Sequence, residues 1–130
     1  MSDFATPAMP TALLRHELPD GTHHYDWLLA RDWNGPLLTF RVGREISLDC
    51  EPFEAELLGD HRRAYLEYEG EISGGRGRVV RVSTGLADIQ TESDSEVRLV
   101  LEMGLRRGLW IGRRVRSQVF HFESQNFGQI

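Results

Sequence analysis

The sequence predicts an all-β fold, a compact and mostly antiparallel β-barrel with little helix. Three observations carry this. Apolar, β-branched and aromatic residues come in short blocks of strand length. Gly, Pro, Asn and Asp separate those blocks at close spacing. No stretch keeps the spacing of an amphipathic helix for three turns. Many short strands without helices bury their apolar faces as a barrel or sandwich.

Residues 1–10 carry Pro7 and Pro10 without periodicity and read as a lead-in. Residues 11–123 form the single expected domain, and 124–130 a tail. Ala12 to His16 is the first strand, closed by the Pro19-Asp20-Gly21 turn. His24 to Arg31 is the second, and Asn34-Gly35-Pro36 turns the chain into the third, Leu37 to Val42. Phe53 to Leu58 has good helix formers but alternates apolar and acidic residues at its start, and reads as strand. After Gly74-Gly75, Arg76 to Ser83 has strong β character from Val79, Val80 and Val82. Thr91 to Glu96 reads as a solvated acidic loop. Val97 to Met103, Leu109 to Gly112 and Val119 to Phe122 complete the set, with Gly104 and Gly108 bracketing an Arg-rich connection.

With 130 residues the chain suits one core rather than two. No apolar run approaches a membrane span, and the first residues lack the blocks of a signal peptide, so a cytoplasmic protein without membrane contact is expected. Cys50 is the lone cysteine, which excludes an internal disulfide and reads as a small packed side chain. The net charge of −5 argues against strong non-specific binding of nucleic acid. Yet all 15 basic residues are arginine, each a planar fork suited to phosphate.

His24-Tyr25-Asp26 is the stretch that points to chemistry. On a strand, alternate residues share a face, so His24 and Asp26 point the same way. An imidazole beside a carboxylate is a ready pair of metal ligands. His23 shares its face with Tyr25 and is the weaker candidate. His16 lies just upstream, and Asp60-His61 through Tyr65 further on. His24 and Asp26 with distant His121 also have the form of an iron-oxygenase triad, although His121 reads as facing out of a late strand.

The order of these pieces resembles the phosphoesterase module of bacterial DNA ligase D. Leu13-Leu14-Arg15-His16, His24-Tyr25-Asp26, Ser47-Leu48-Asp49, Asp60-His61 through Tyr65 to Tyr68-Glu69-Gly70, and Leu105 to Trp110 follow that family's blocks in sequence. The resemblance runs from about Leu13 to Phe122. It implies a β-barrel with its site in a concave opening, and a divalent metal, Mn²⁺ or else Zn²⁺, held by His16, His24 and Asp26. It implies that His61 faces a scissile phosphate and that Tyr65 and Arg44 contact its oxygens. The implied activity removes a 3′-phosphate or terminal ribonucleoside from DNA or RNA-tipped DNA ends in repair. Separate ligase or polymerase proteins would be its partners. Leu28 and Ala30 stand where the family has an arginine and an acid. Arg15, Arg31 or Arg41 are the candidates to compensate. The alternative reading is a metal-containing module that binds nucleic-acid ends without turnover.

Overall fold

Strand alternation divides almost every strand into one face of large apolar side chains and one of mixed character, and the chain buries the first by wrapping a sheet around it. The computed structural model describes residues 9–125. It contains β1 (Met9–Glu17), β2 (His23–Ala30), β3 (Leu37–Val42), β4 (Phe53–Leu57), β5 (Gly70–Glu71), β6 (Arg78–Glu92), β7 (Glu96–Met103), β8 (Arg106–Arg116) and β9 (Val119–Gln125). The described helix amounts to 3-10 turns at Ile46–Leu48 and Arg63–Leu66. All strands join one antiparallel sheet in the order β1-β2-β3-β4-β9-β8-β7-β6-β5, and β1 also pairs with β6 so that the sheet closes in a ring. The expected all-β, mostly antiparallel architecture is therefore observed.

Closure depends on β6. Its first part pairs with β1 through Arg78–Ala87, and its second with β7 through Gly85–Glu92. Where it passes from one neighbour to the other, a Cβ on Gly85 would lie 2.0 Å from the Glu102 carbonyl oxygen, so glycine is required by close approach.

The ring is filled by Leu13, Trp27, Leu29, Phe40, Leu99, Trp110, Phe120 and Phe122, among others. Aromatic rings dominate: Phe122 lies 5.1 Å from Phe53, stacked, and 5.4 Å from Trp27, edge-on. The opposite residues of β1 and β2 form a second apolar cluster, with Ala12, Leu14, Leu28 and Ala30 joined by Leu37, Leu66 and Val79. This cluster lies on the outside of the ring. The stretch after β4 crosses over it, contributing Leu66, Tyr65 and Ile72.

Several boundaries differ from expectation. β1 begins at Met9, inside the expected lead-in, and β9 continues to Gln125, past the expected domain end. The rest of the lead-in and tail lies outside the described residues. β6 runs to Glu92, because cross-strand pairing with β7 holds Gly85 to Glu92 extended despite their polar content. Arg106 and Gly108 belong to β8 rather than to a connection. Cys50 is exposed, not packed. It lies in the loop before β4, where the buried guanidinium of Arg106 donates to the carbonyls of Ile46 and Glu51 and to the Asp49 carboxylate. Arginine, not Cys50, fills the space behind that loop.

Candidate metal centre and its cleft

Register brings the histidines together. β1 and β2 pair with His16 opposite His24 and Leu14 opposite Asp26. Facing residues of antiparallel strands hold their side chains about 5 Å apart at Cβ. Here the ring nitrogens come closer: His16 Nδ1 is 3.1 Å from His24 Nε2, and His24 Nε2 is 3.6 Å from Asp26 Oδ1. One ligand atom from each of the three lies within 4.8 Å of the others.

Outer partners decide which nitrogen is available. The N–H at His16 Nε2 donates to the carbonyl oxygen of Arg76 at 2.7 Å, which leaves the Nδ1 lone pair aimed at His24. Burial pushes His24 below the ordinary histidine value, with the Asp26 charge opposing, and so favours a neutral ring with a lone pair to offer. Asp26 is only 4% exposed, and the nearest cation on it is Arg41, whose Nε stands 3.4 Å from Oδ1 across the β2–β3 pair.

The donor set fits a divalent cation. Two donors about 2.1 Å from one ion, at angles of about 90–110°, stand about 3.0–3.4 Å apart. The separation of 3.1 Å falls inside that range and that of 3.6 Å just above it. Two imidazoles and one carboxylate leave coordination positions free for water or substrate. The cluster His16, His24 and Asp26 can therefore hold a metal ion.

Beside it opens a cleft of about 290 Å³. Leu14, Ile72 and Val79 supply apolar surface, and His16, Asp26, Arg41, Asp60, His61, Arg62, Tyr65 and Arg76 supply the polar wall. His61 enters because the chain after β4 continues along β3. The backbone N–H groups of Leu37 and His61 each donate to the other's carbonyl, at 2.9 and 3.1 Å. Its Nδ1–H donates to the Gly59 carbonyl at 3.2 Å, so Nε2 faces the cleft, 3.9 Å from Asp26 Oδ2. The Tyr65 ring lies 5.9 Å from that of His61.

The structure thus brings together His16, His24, Asp26, His61 and Tyr65, from three separated segments. It does not bring Arg44. That guanidinium donates to both carboxylate oxygens of Asp49 at 3.0 Å and to the Pro52 carbonyl, and it lies outside the cleft lining. The expected Arg44 contact with a phosphate has no counterpart in this cleft: Asp49, the residue immediately after the Ile46–Leu48 turn, captures the guanidinium. Arg41, Arg62 and Arg76 line the cleft instead. Arg41 carries a legible signal, alternation across from Asp26, and Arg62 adjoins His61. Arg76 has a weaker one, the glycines on either side of it.

His23 is exposed, its ring 5.5 Å from that of Tyr25, and does not replace His24. His121 pairs with Glu123 at 3.0 Å and takes no part in the cleft. Leu28 and Ala30 share the face of Asp26, as alternation requires, but lie buried beneath the crossing stretch as part of the outer apolar cluster. The cleft lies on the outside of the ring, beneath the crossing stretch. No family model matches the chain, and no curated protein matches it.

Proposed function

We propose that the protein is a divalent-metal-dependent phosphoesterase that removes a 3′-phosphate or terminal 3′-ribonucleoside from DNA or RNA-tipped DNA, in cytoplasmic DNA repair beside separate ligase or polymerase proteins. The observation that supports this best is convergence. Residues widely separated in sequence, His16, His24, Asp26, His61 and Tyr65, meet in one place with Arg41, Arg62 and Arg76. Three arginines around one small cleft suit a dianionic group, in a chain whose net charge is −5.

When bound, the metal, for which we propose Mn²⁺, supplies Lewis-acid polarisation of a phosphate oxygen. The remaining roles fall to side chains. Arg62 and Arg76 orient the phosphate and offset its charge; loss of one such donor costs about 10²–10³-fold in rate. His61, anchored through Nδ1, holds or moves a proton at Nε2, the atom that faces the cleft. Tyr65 packs against His61 and limits the positions its ring can take. Leu14, Ile72 and Val79 keep water from the far side.

One observation favours the second reading, an end-binding module without turnover: the apolar residues Leu28 and Ala30 occupy the wall where the resemblance expects charge. A single assay decides between them. Purified protein with Mn²⁺ is given a primer-template ending in a 3′-phosphate or a single 3′-ribonucleotide, beside Asp26→Ala and His61→Ala. End removal by the native chain, lost in both variants while His61→Ala still binds metal, is the expected result. Metal-dependent binding of the duplex without cleavage would replace the phosphoesterase by the binding module. Cleavage that survives Asp26→Ala would refute the site altogether.

A further inference from the structure

The 3-10 turn Arg63–Leu66 has a cleft on each flank. Arg62 and Tyr65 face the metal cleft, while Arg63, Ala64 and Leu66 line a second groove of about 510 Å³ with Trp33 and Arg81. Trp33 is 61% exposed, whereas the other two tryptophans, Trp27 and Trp110, are buried at 0% and 1%. The loop that carries it is not slack. Asp32 Oδ1 accepts the backbone N–H groups of Asn34 and Gly35 at 3.0 and 2.6 Å, and Arg63 donates to the Asp32 carbonyl at 2.6 Å. Three hydrogen bonds thus brace the turn that carries the indole, and the indole itself stands mostly exposed on the groove's lining.

The surrounding charge selects a partner. Most arginines here pair with acids, but among the described residues the guanidinium groups of Arg62, Arg76, Arg81 and Arg114 make no ion pair with a carboxylate, although the backbone N–H of Arg81 donates to the Glu69 carboxylate at 2.9 Å. Arg62 stacks over Tyr65, Arg76 donates to Ser73, and Arg81 donates to the Leu66 carbonyl at 2.8 Å. A carbonyl accepts the hydrogen bond without cancelling the charge. Arginines without a paired acid therefore stand in both clefts, on either side of one turn, with Glu67 the one carboxylate lining the second groove. An exposed aromatic face along such a track suits a single strand of nucleic acid, whose phosphates meet the arginines and whose bases stack.

We propose that Trp33 is the stacking platform of a nucleobase subsite, so that a single-stranded nucleic-acid end runs from the metal cleft across the Arg63–Leu66 turn into the groove. This rests on the nucleic-acid-end reading above and extends it to the strand behind the terminal group. Seven residues separate Asp26 from Trp33, at most about 23 Å of extended chain.

The test needs no turnover. The full chain in metal-free buffer is titrated with a short single-stranded oligothymidylate bearing a 3′-phosphate. Because Trp27 and Trp110 are buried, a change in tryptophan emission reports Trp33. Quenching is expected, with about a 5- to 150-fold loss of affinity in Trp33→Ala, read by anisotropy of a labelled oligomer. Trp33→Phe should recover part of that loss. Leu105→Ala, an exposed apolar change outside both clefts, should leave binding unchanged. Equal affinity in Trp33→Ala and the native chain, or no quenching at saturation, overturns the subsite. So does emission that changes with protein concentration alone, which would put a second copy over the ring. End removal with unchanged Trp33→Ala binding refutes the subsite and spares the phosphoesterase; quenching without end removal does the reverse.

Discussion

Gly77→Ala tests whether the metal site is set from behind by backbone. Gly77 has φ +93°, and a Cβ there would lie 1.9 Å from the Glu17 carbonyl oxygen, inside β1's own backbone. The residue before it, Arg76, holds His16 through its carbonyl at 2.7 Å. A methyl group at 77 must push this stretch away from β1, and the Arg76–His16 hydrogen bond is the contact it stretches. Left-handed backbone in alanine costs about 1–2 kcal/mol, and the displaced packing about 1–3 more. A domain with about 5–15 kcal/mol of stability stays folded through most of that range, so the site remains measurable. Loss of an outer partner to a ligating histidine lowers metal affinity about 10–100-fold. Calorimetric titration with Mn²⁺ or Zn²⁺ near neutral pH, beside urea unfolding without metal, reads both effects. The expected result is weaker metal binding in a folded but less stable chain. A folded Gly77→Ala protein with undiminished metal affinity would refute the reasoning, because His16 would then be oriented by something other than the Arg76 carbonyl.

Three further perturbations probe the rest of the molecule. The hydrogen bonds from Arg44 hold the Asp49 carboxyl at about 2, below its ordinary 3.8. A depressed folded value means stabilisation that is complete above 3.8 and fades as pH falls through about 2, so the urea midpoint should drop across that window in the native chain and drop less in Asp49→Asn. The resemblance would have Leu28→Arg raise activity, but Leu28 is buried in the outer apolar cluster, where an unpaired guanidinium costs about 3–5 kcal/mol. Thermal melts should show severe destabilisation with no gain in rate, and a folded, faster variant would contradict that burial. Phe122→Ala removes the ring that touches Trp27, Phe40 and Phe53 and should cost about 3–5 kcal/mol by urea titration; a loss below about 1 kcal/mol would mean that the interior repacks freely.

Much of this was legible because strands encode it locally. Period-two alternation and turn chemistry located every strand except the two-residue β5, and Leu37–Val42 to the residue. Alternation also put His24 and Asp26 on one face. Phe53–Leu57 was resolved as strand by its neighbours rather than by its own propensities, because β4 pairs with β3 and β9. What sequence could not supply was long-range: which outer face lies under the crossing stretch, and which acid captures which arginine. Arg44 and Arg41 look alike in sequence. Asp49 takes one and Asp26 faces the other, a choice made by three-dimensional distance alone. β6 was read short for the same reason. Its polar second half is a strand only because β7 lies beside it.

The position of the site follows from what fills the ring. Trp27, Phe40, Phe53, Trp110, Phe120 and Phe122 occupy the interior, so no polar cleft fits there. Any chemistry must use the outer face, which in an ordinary β-sheet meets water. Three buried or half-buried ligands in an open outer face would be too well hydrated to hold their partners rigidly. The stretch from Leu58 to Gly77 supplies the missing wall. It brings His61 by pairing with Leu37, Tyr65 and Leu66 by the 3-10 turn, and the Arg76 carbonyl by the glycine at 77. A register slip of one residue between β1 and β2 would send His24 and Asp26 into the aromatic interior and Trp27 out under the wall, destroying core and site together. The β1–β2 register that packs the interior of the ring is thus the same one that fixes the spacing of the ligands.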